Sequence, residues 1–297
     1  MADPTAQPGP WWRSEDEEHP VPSGIDPAVP SPARMYDYYL GGKDNYAADR
    51  AAAEKALSVV PHGRQIAQAN RHFLAHAVVL MANHGVRQFI DLGTGIPTSP
   101  SVHELASVVQ PDAHVLYVDN DPVVTVHNQA LLAKSACVRA IHGDIRQPYG
   151  IFTSPVLEEF IDFDQPVGIL FAAVLHFIGD EDEPEALVKT FRSYMAPGSY
   201  LALSHIASDG TDPKVVATIQ DAYAHASAPA IFRTRAQIAA FFTGLELEPP
   251  GLVDVTGWFP FPGAAPAQPP AVGFLGGVGR MPGGHDARQD QAPREAT

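Results

Sequence analysis

FIDLGTGIPTSPSVHELA, residues 89–106, reads as an apolar strand, a tight glycine turn and the start of a helix. Strand–turn–helix units of this kind build doubly wound α/β sheets, which bind ligands outside the carboxyl ends of their strands. Gly93 and Gly95 allow the backbone to approach a ligand closely and to take positive φ. A dinucleotide fingerprint would place a third glycine at position 98, but this chain has Thr98, and Pro97 and Pro100 remove amide donors from the turn. Asp91, two residues before the first glycine, would repel a pyrophosphate. The turn therefore suits a cofactor without phosphate that carries at least one positive group.

Outward from this turn the pattern alternates. Apolar strands are expected at 87–92, 114–119, 137–142, 167–174 and 199–206, separated by helical patterns at 100–109, 122–133, 153–161 and 184–195. Such alternation predicts a mostly parallel sheet covered on both faces. Further helices are expected near 213–226 and 234–242. LELEPPGLVDV and PAVGFLGGVG then suggest an antiparallel hairpin at the sheet edge. Ahead of the sheet, residues 33–60 look helical with an interruption at Gly41-Gly42, and 64–84 form a long helix closed by Gly85. The expected organisation is a Pro-rich disordered extension (1–32), a helical cap (33–86), a doubly wound α/β domain (87–280) and a disordered tail (281–297).

The 297 residues, 45% of them hydrophobic, can bury one substantial core. A net charge of −15 argues against a nucleic-acid partner. No apolar run is long enough to span a bilayer. The first twenty residues lack the basic region and apolar core of a signal peptide, and the single cysteine, Cys137, reads as a structural thiol. The expectation is a cytoplasmic protein with a small-molecule substrate and no membrane partner; its oligomeric state is not legible.

Two more acids sit at successive strand ends. Asp119 closes the second strand in VLYVDNDP, where a carboxylate can accept both hydroxyls of a ribose. Asp144 closes the third in IHGDI, where an acid can accept from an adenine amino group. With Asp91, these three strand-end acids fit S-adenosylmethionine, whose ammonium and sulfonium charges flank a nucleoside. Here the chain resembles the actinobacterial S-adenosylmethionine-dependent methyltransferases of largely unassigned substrate. The resemblance rests on ARMYDYYLGGKDNYAADR (33–50), RQIAQANRHFL (64–74), FIDLGTGIPT (89–98) and VLYVDNDP. It implies a seven-stranded methyltransferase sheet and a cofactor site at Asp91, Gly93, Gly95, Asp119, Asn120 and Asp144, to which Ile145 and Ala173 are added. It also implies a lid around Gly41, Gly42 and Lys43 that touches the cofactor.

Tyr38, Tyr39 and Tyr46 carry much aromatic surface around that break and suggest a wall closing over a substrate. Arg71, beside Asn70, is expected to orient an acidic substrate or the cofactor's carboxylate, with a structural ion pair as the equal alternative. His72 and His76 stand one helical turn apart without the glutamate or cysteine that a zinc site wants, so no metal is expected. His176, in FAAVLHFIGDED just beyond the fourth strand, resembles the catalytic histidine of plant-type O-methyltransferases and is the candidate general base. The function expected is methyl transfer to a small molecule, with a hydroxyl oxygen as one acceptor. The rivals are a sensor that binds the cofactor without turnover and a nicotinamide-dependent oxidoreductase; Asp91 and the missing third glycine count against the latter.

Overall fold

A computed structural model describes residues 25–122, 124, 135–258 and 271–283. The helix expected over 122–133 and most of the two terminal segments lie outside these residues. The chain opens with α1 (Pro32–Tyr39), α2 (Ala47–Leu57) and α3 (Gly63–Asn83). It continues through β1 (Gln88–Leu92), α4 (Val102–Val109), β2 (His114–Asp119) and β3 (Val138–His142). Two short helices, α5 (Pro148–Phe152) and α6 (Pro155–Phe160), lead to β4 (Gly168–Ala172), α7 (Pro184–Arg192) and β5 (Tyr200–Ala207). Then come α8 (Pro213–Tyr223), α9 (Arg235–Ala240), β6 (Glu246–Leu247), β7 (Val253–Asp254) and β8 (Gly273–Arg280). No helix among the described residues is long and apolar enough to cross a membrane.

The strand order is β3-β2-β1-β4-β5-β8-β6, with β7 also paired to β8. β1 to β5 are parallel, and β8 runs antiparallel to β5 from Tyr200/Arg280 to Ala207/Gly273. The chain winds one way through β1, β2 and β3 and then the other through β4 and β5. The switch point lies between β1 and β4, beside the glycine turn. The expected edge hairpin takes a different form. β8 is an interior strand, and LELEPPGLVDV supplies two short strands, β6 and β7, that share its other edge. Pro249 and Pro250 lack the amide hydrogens a continuous ladder needs, so the strand breaks there.

Successive strand residues face opposite sides. Phe89, Val115, Tyr117 and Leu170 enter one apolar cluster, whereas Ile90, Leu116, Val118 and Ile169 enter the other. Both faces are covered, which explains why the strands read as apolar runs. α3 lies on the first face with Phe73, Ala77, Val78 and Met81 fully buried. It approaches so closely that a Cβ on Gly168 would fall 2.8 Å from the Phe89 ring and 2.9 Å from the Met81 sulfur. Gly85, at φ +90°, ends α3 as the sequence suggests.

Ser31 and Pro32, assigned by sequence to the extension, belong to the cap. Pro32 opens α1, and Ser31 is buried with its amide donating to Asp49 Oδ1 at 2.8 Å. Asp49, fully buried, also accepts from Arg34 Nε (2.8 Å) and the Tyr46 amide (2.8 Å), so one carboxylate joins α1 to α2. The clasp continues to the sheet: Ser31 Oγ donates to Asp121 Oδ2 at 2.6 Å, and Arg34 lies 3.5 Å from the same oxygen. Cys137 is half-buried just ahead of β3, outside the strand expected to contain it.

Candidate active site

The glycine turn is shaped by two different demands. Gly93 takes φ +69° and donates to the Val118 carbonyl at 2.8 Å; a Cβ there would lie 2.2 Å from Val174 Cγ2. Gly95 takes φ +65°, but a Cβ on it would meet nothing within 4 Å. Its amide donates to Asp119 Oδ2 at 2.8 Å, while Asp119 Oδ1 accepts from the Asp121 amide at 2.8 Å. Asp119 thus ties the turn after β1 to the turn after β2. Beyond the prolines, Glu104 accepts from the Ser101 amide (2.7 Å) and hydroxyl (2.9 Å), a capping arrangement that starts α4 at Val102.

A cleft of about 280 Å³ opens at these strand ends. Asp91, Gly93, Gly95, Asp119, Asn120 and Asp144 all line it. So do Ile145, Ala173 and Arg71. Ala173, at the end of β4, holds φ 57°, a strained conformation for a side-chain-bearing residue, with its amide donating to Ser204 Oγ at 2.9 Å. Arg71 donates to the carbonyls of Thr98 (3.1 Å) and Pro100 (2.9 Å), so the proline-containing segment is braced by a side chain.

Burial pushes the Asp91 carboxyl up to about 7; the Arg71 charge works against this and the Asp119 charge adds to it. Burial likewise raises Asp119 to about 6, moderated by the amides of Asp121 and Gly95. Asp144 behaves differently. Partial burial pushes it up, yet hydrogen bonds and charge from Arg146 hold it below the usual carboxylate range. The Arg146 guanidinium grips both Asp144 oxygens, at 3.0 Å from Nε and 2.5 Å from the terminal nitrogen, so an adenine amino group would share that carboxylate with an arginine. Asn70 also lines the cleft, and its side-chain oxygen is buried without a hydrogen-bond partner among the described residues.

The structure does not bring Gly41, Gly42, Lys43, Tyr38 or Tyr46 to the cleft. Asp37 Oδ2 accepts from the Asp44 amide (2.9 Å) and Asn45 Nδ2 (2.8 Å), and the Gly41-Gly42 turn is folded around it. A Cβ on Gly42 would lie 1.9 Å from Asp37 Oδ1, so the glycine serves packing against a carboxylate, and Lys43 points to solvent. Tyr38 donates to Glu54 at 2.6 Å beneath the Arg64 guanidinium, and Tyr46 caps α2. The cleft is instead walled by Ala33 and Tyr36 of α1 and by Ser227 and Ala228 after α8. These two walls are joined where the Ser227 amide donates to the Pro30 carbonyl at 2.8 Å. Tyr36 stood within a motif already quoted; nothing in SAPA, residues 227–230, signals a site.

His176 and Tyr39 line a second chamber of about 110 Å³, which meets the cleft at Pro32, Tyr36 and Phe177. His176 lies in a single 3-10 turn, Leu175–Phe177, anchored by buried Arg233, which donates to the carbonyls of Leu175 (2.9 Å) and Ile178 (2.8 Å). Burial, with His205 and Arg233 nearby, holds the imidazole well below its ordinary value and therefore neutral, and its buried Nδ1 has no partner among the described residues.

A family model described as S-adenosyl methyltransferase matches residues 18–282. A DUF574 family protein from Streptomyces avermitilis of known structure is 38% identical, with a TM-score of 0.81 over 86% of this chain and 99% of that one. A candidate methyltransferase from Thermobifida fusca is 35% identical, with a TM-score of 0.82 over 88% of this chain and 98% of that one. No curated protein sequence matches the chain. The resemblance drawn from the motifs is thereby borne out: the chain belongs to the S-adenosyl methyltransferase family and is an S-adenosylmethionine-dependent methyltransferase.

Proposed function

We propose that this methyltransferase acts on a small-molecule acceptor through a hydroxyl oxygen, with the cofactor held in the cleft at the strand ends. The carrying observation is the chemistry of that cleft: buried Asp91 and Asp119, with Asn70 beside them, line a space that Gly95 leaves open. These acceptors fit an ammonium and a ribose, and they do not fit a pyrophosphate. In this reading Asp91 and Asn70 face the ammonium, Arg71 the carboxylate, Asp119 the ribose hydroxyls, and Asn120, Asp144 and Ile145 the adenine. Gly93, Gly95 and Ala173 supply close-packed backbone. When bound, the cofactor supplies an electrophilic methyl on a positive sulfur. The chain's own share is to orient, exclude water and accept the hydroxyl proton, and neutral His176 is the group assigned to the last task.

The test is calorimetry with S-adenosylhomocysteine and NAD, followed by turnover on matched hydroxyl and amine acceptors. Micromolar binding of the first ligand alone is expected. Binding of NAD alone would overturn the cofactor assignment, and methylation of only the amine series would overturn the hydroxyl assignment. With a working acceptor, His176→Ala should lower kcat about 10²-fold with cofactor affinity little changed. A variant that keeps its turnover would reduce His176 to part of the chamber wall.

A further inference from the structure

The second chamber differs from the cleft in kind. The cap contributes Tyr39 and Ile66, the turn after β4 Phe177, and the later elements Ile206, Tyr223 and Phe274. Among the described residues no Asp, Glu, Lys or Arg lines it. Its phenols are already engaged: Tyr39 and Tyr223 share a hydrogen bond of 3.2 Å, and the Tyr36 hydroxyl donates to the Ala67 carbonyl at 3.0 Å. Burial raises Tyr39 to about 12 and holds Tyr223 well above its ordinary value, so both stay uncharged. The polar group left over is His176, whose ring forms part of the wall and whose buried Nδ1 has no hydrogen-bond partner among the described residues. An ion brought into such a space would lose its hydration without compensation, whereas one neutral donor would satisfy the imidazole.

Size narrows the class further. A single benzene ring occupies an apolar cavity of about 150 Å³, so a space of about 110 Å³ holds one ring at most. Pro32, Tyr36 and Phe177 line both spaces, so the chamber adjoins the cofactor cleft. We propose that this chamber is the acceptor site and that its acceptor is a neutral, monocyclic phenol whose hydroxyl meets the His176 imidazole. This rests on the cofactor reading above. In the transfer, the phenolic oxygen forms the new O–CH₃ bond as the CH₃–S bond breaks, and the pair from that bond returns sulfur to a neutral thioether. The hydroxyl proton passes to the imidazole and then to water.

The test uses the full-length protein saturated with S-adenosylhomocysteine at pH 7.5 and titrated with 4-methylphenol, 4-hydroxybenzoate, tyramine and 2-naphthol. The expected result is that 4-methylphenol binds at least tenfold more tightly than the two charged compounds and the two-ring one. Filling the chamber from two separate helices, with Ile219→Phe and with Ala56→Leu, should each weaken 4-methylphenol tenfold or more and leave S-adenosylhomocysteine affinity within twofold. The second affinity also shows that each variant is folded. No 4-methylphenol binding to the saturated wild type would overturn the proposal, as would equal binding of the charged compounds or undiminished binding in both filled variants. Failure of S-adenosylhomocysteine itself to bind would instead overturn the cofactor reading beneath it.

Discussion

A carboxyl whose proton leaves near pH 7 on the wall of the cleft makes cofactor affinity proton-linked. With the cleft empty, Asp91 holds a proton below about pH 7, whereas in an unfolded chain it would lose it near 3.8. A cationic ligand favours the ionised form, so binding releases a proton in this window, and affinity should fall by up to about tenfold per pH unit from 7 to 5.5. Calorimetry in buffers of different ionisation enthalpy would reveal the proton, and Asp91→Asn should reduce the release to the share that Asp119, raised to about 6, contributes. The same shift carries a stability consequence of opposite sign. Between pH 4 and 7 the folded state binds more protons at Asp91 than the unfolded one, so this group's contribution worsens as pH rises and is most unfavourable above 7. Asp91→Asn should therefore raise Tm at pH 8 and have little effect on it near pH 4. A lower Tm at pH 8 would show that the ionised carboxylate is well satisfied.

The two glycines of the turn should fail differently. Gly93→Ala puts a methyl 2.2 Å from Val174 in a left-handed conformation and should destabilise the fold by about 1–3 kcal/mol. A methyl at Gly95 would meet no atom of the described residues within 4 Å, so the melting of Gly95→Ala should change less while cofactor binding suffers more. Equal losses of stability would indicate that the positive φ common to both positions, and not the Val174 contact, sets the cost. Asp91, Gly93, Gly95, Asp119 and Asp144 were legible in sequence because strand ends are, and a strand end in a doubly wound sheet has a known direction. Asn70 and Tyr36 reach the cleft by helix packing, and no local pattern encodes that an amide oxygen will be left unpaired there.

Between elements, the clearest dependence is that of α1 on Asp49. Removing this carboxylate leaves buried Arg34 with the Val29 carbonyl and the more distant Asp121 and frees two amides, so Asp49→Ala should cost about 3–5 kcal/mol. Hydrogen exchange over residues 31–40 should accelerate ahead of the sheet, with cofactor affinity falling because Ala33 and Tyr36 form one wall. Uniform protection in the variant would mean that α1 is held by its apolar contacts alone. Element boundaries were readable where chemistry forced them, as at Gly85 and Pro100. The Gly41-Gly42 break was read as a lid because paired glycines suit hinges as well as tight turns. The carboxylate of Asp37, five residues before Gly42, selects the turn. The edge hairpin was misjudged for a related reason: Pro249-Pro250 divides a strand whose two halves still share one partner.

Over the whole molecule, an excess of fifteen negative charges surrounds a cleft suited to a cationic cofactor. Association should therefore be steered. The on-rate of S-adenosylmethionine, which carries one net positive charge, should fall as salt rises from 20 to 300 mM, and that of neutral S-adenosylhomocysteine should change little. Stopped-flow measurement of both ligands would check this, and identical salt slopes would refute it. The parallel core and its direction of winding could be read from the alternation of apolar runs. The meeting of cap, Phe177 and Phe274 around one chamber could not, because its walls come from residues more than two hundred positions apart.

That division of walls bears on how such a protein diversifies. The cleft draws chiefly on the turns after β1, β2 and β3, whereas the chamber draws on the cap and on elements from β5 onward. A lineage can alter what it methylates by drift in the latter, while purifying selection for one cofactor continues on the former. Pro32, Tyr36 and Phe177 touch both spaces. At those three positions the two selective pressures collide, and descendants with new acceptors should vary there least.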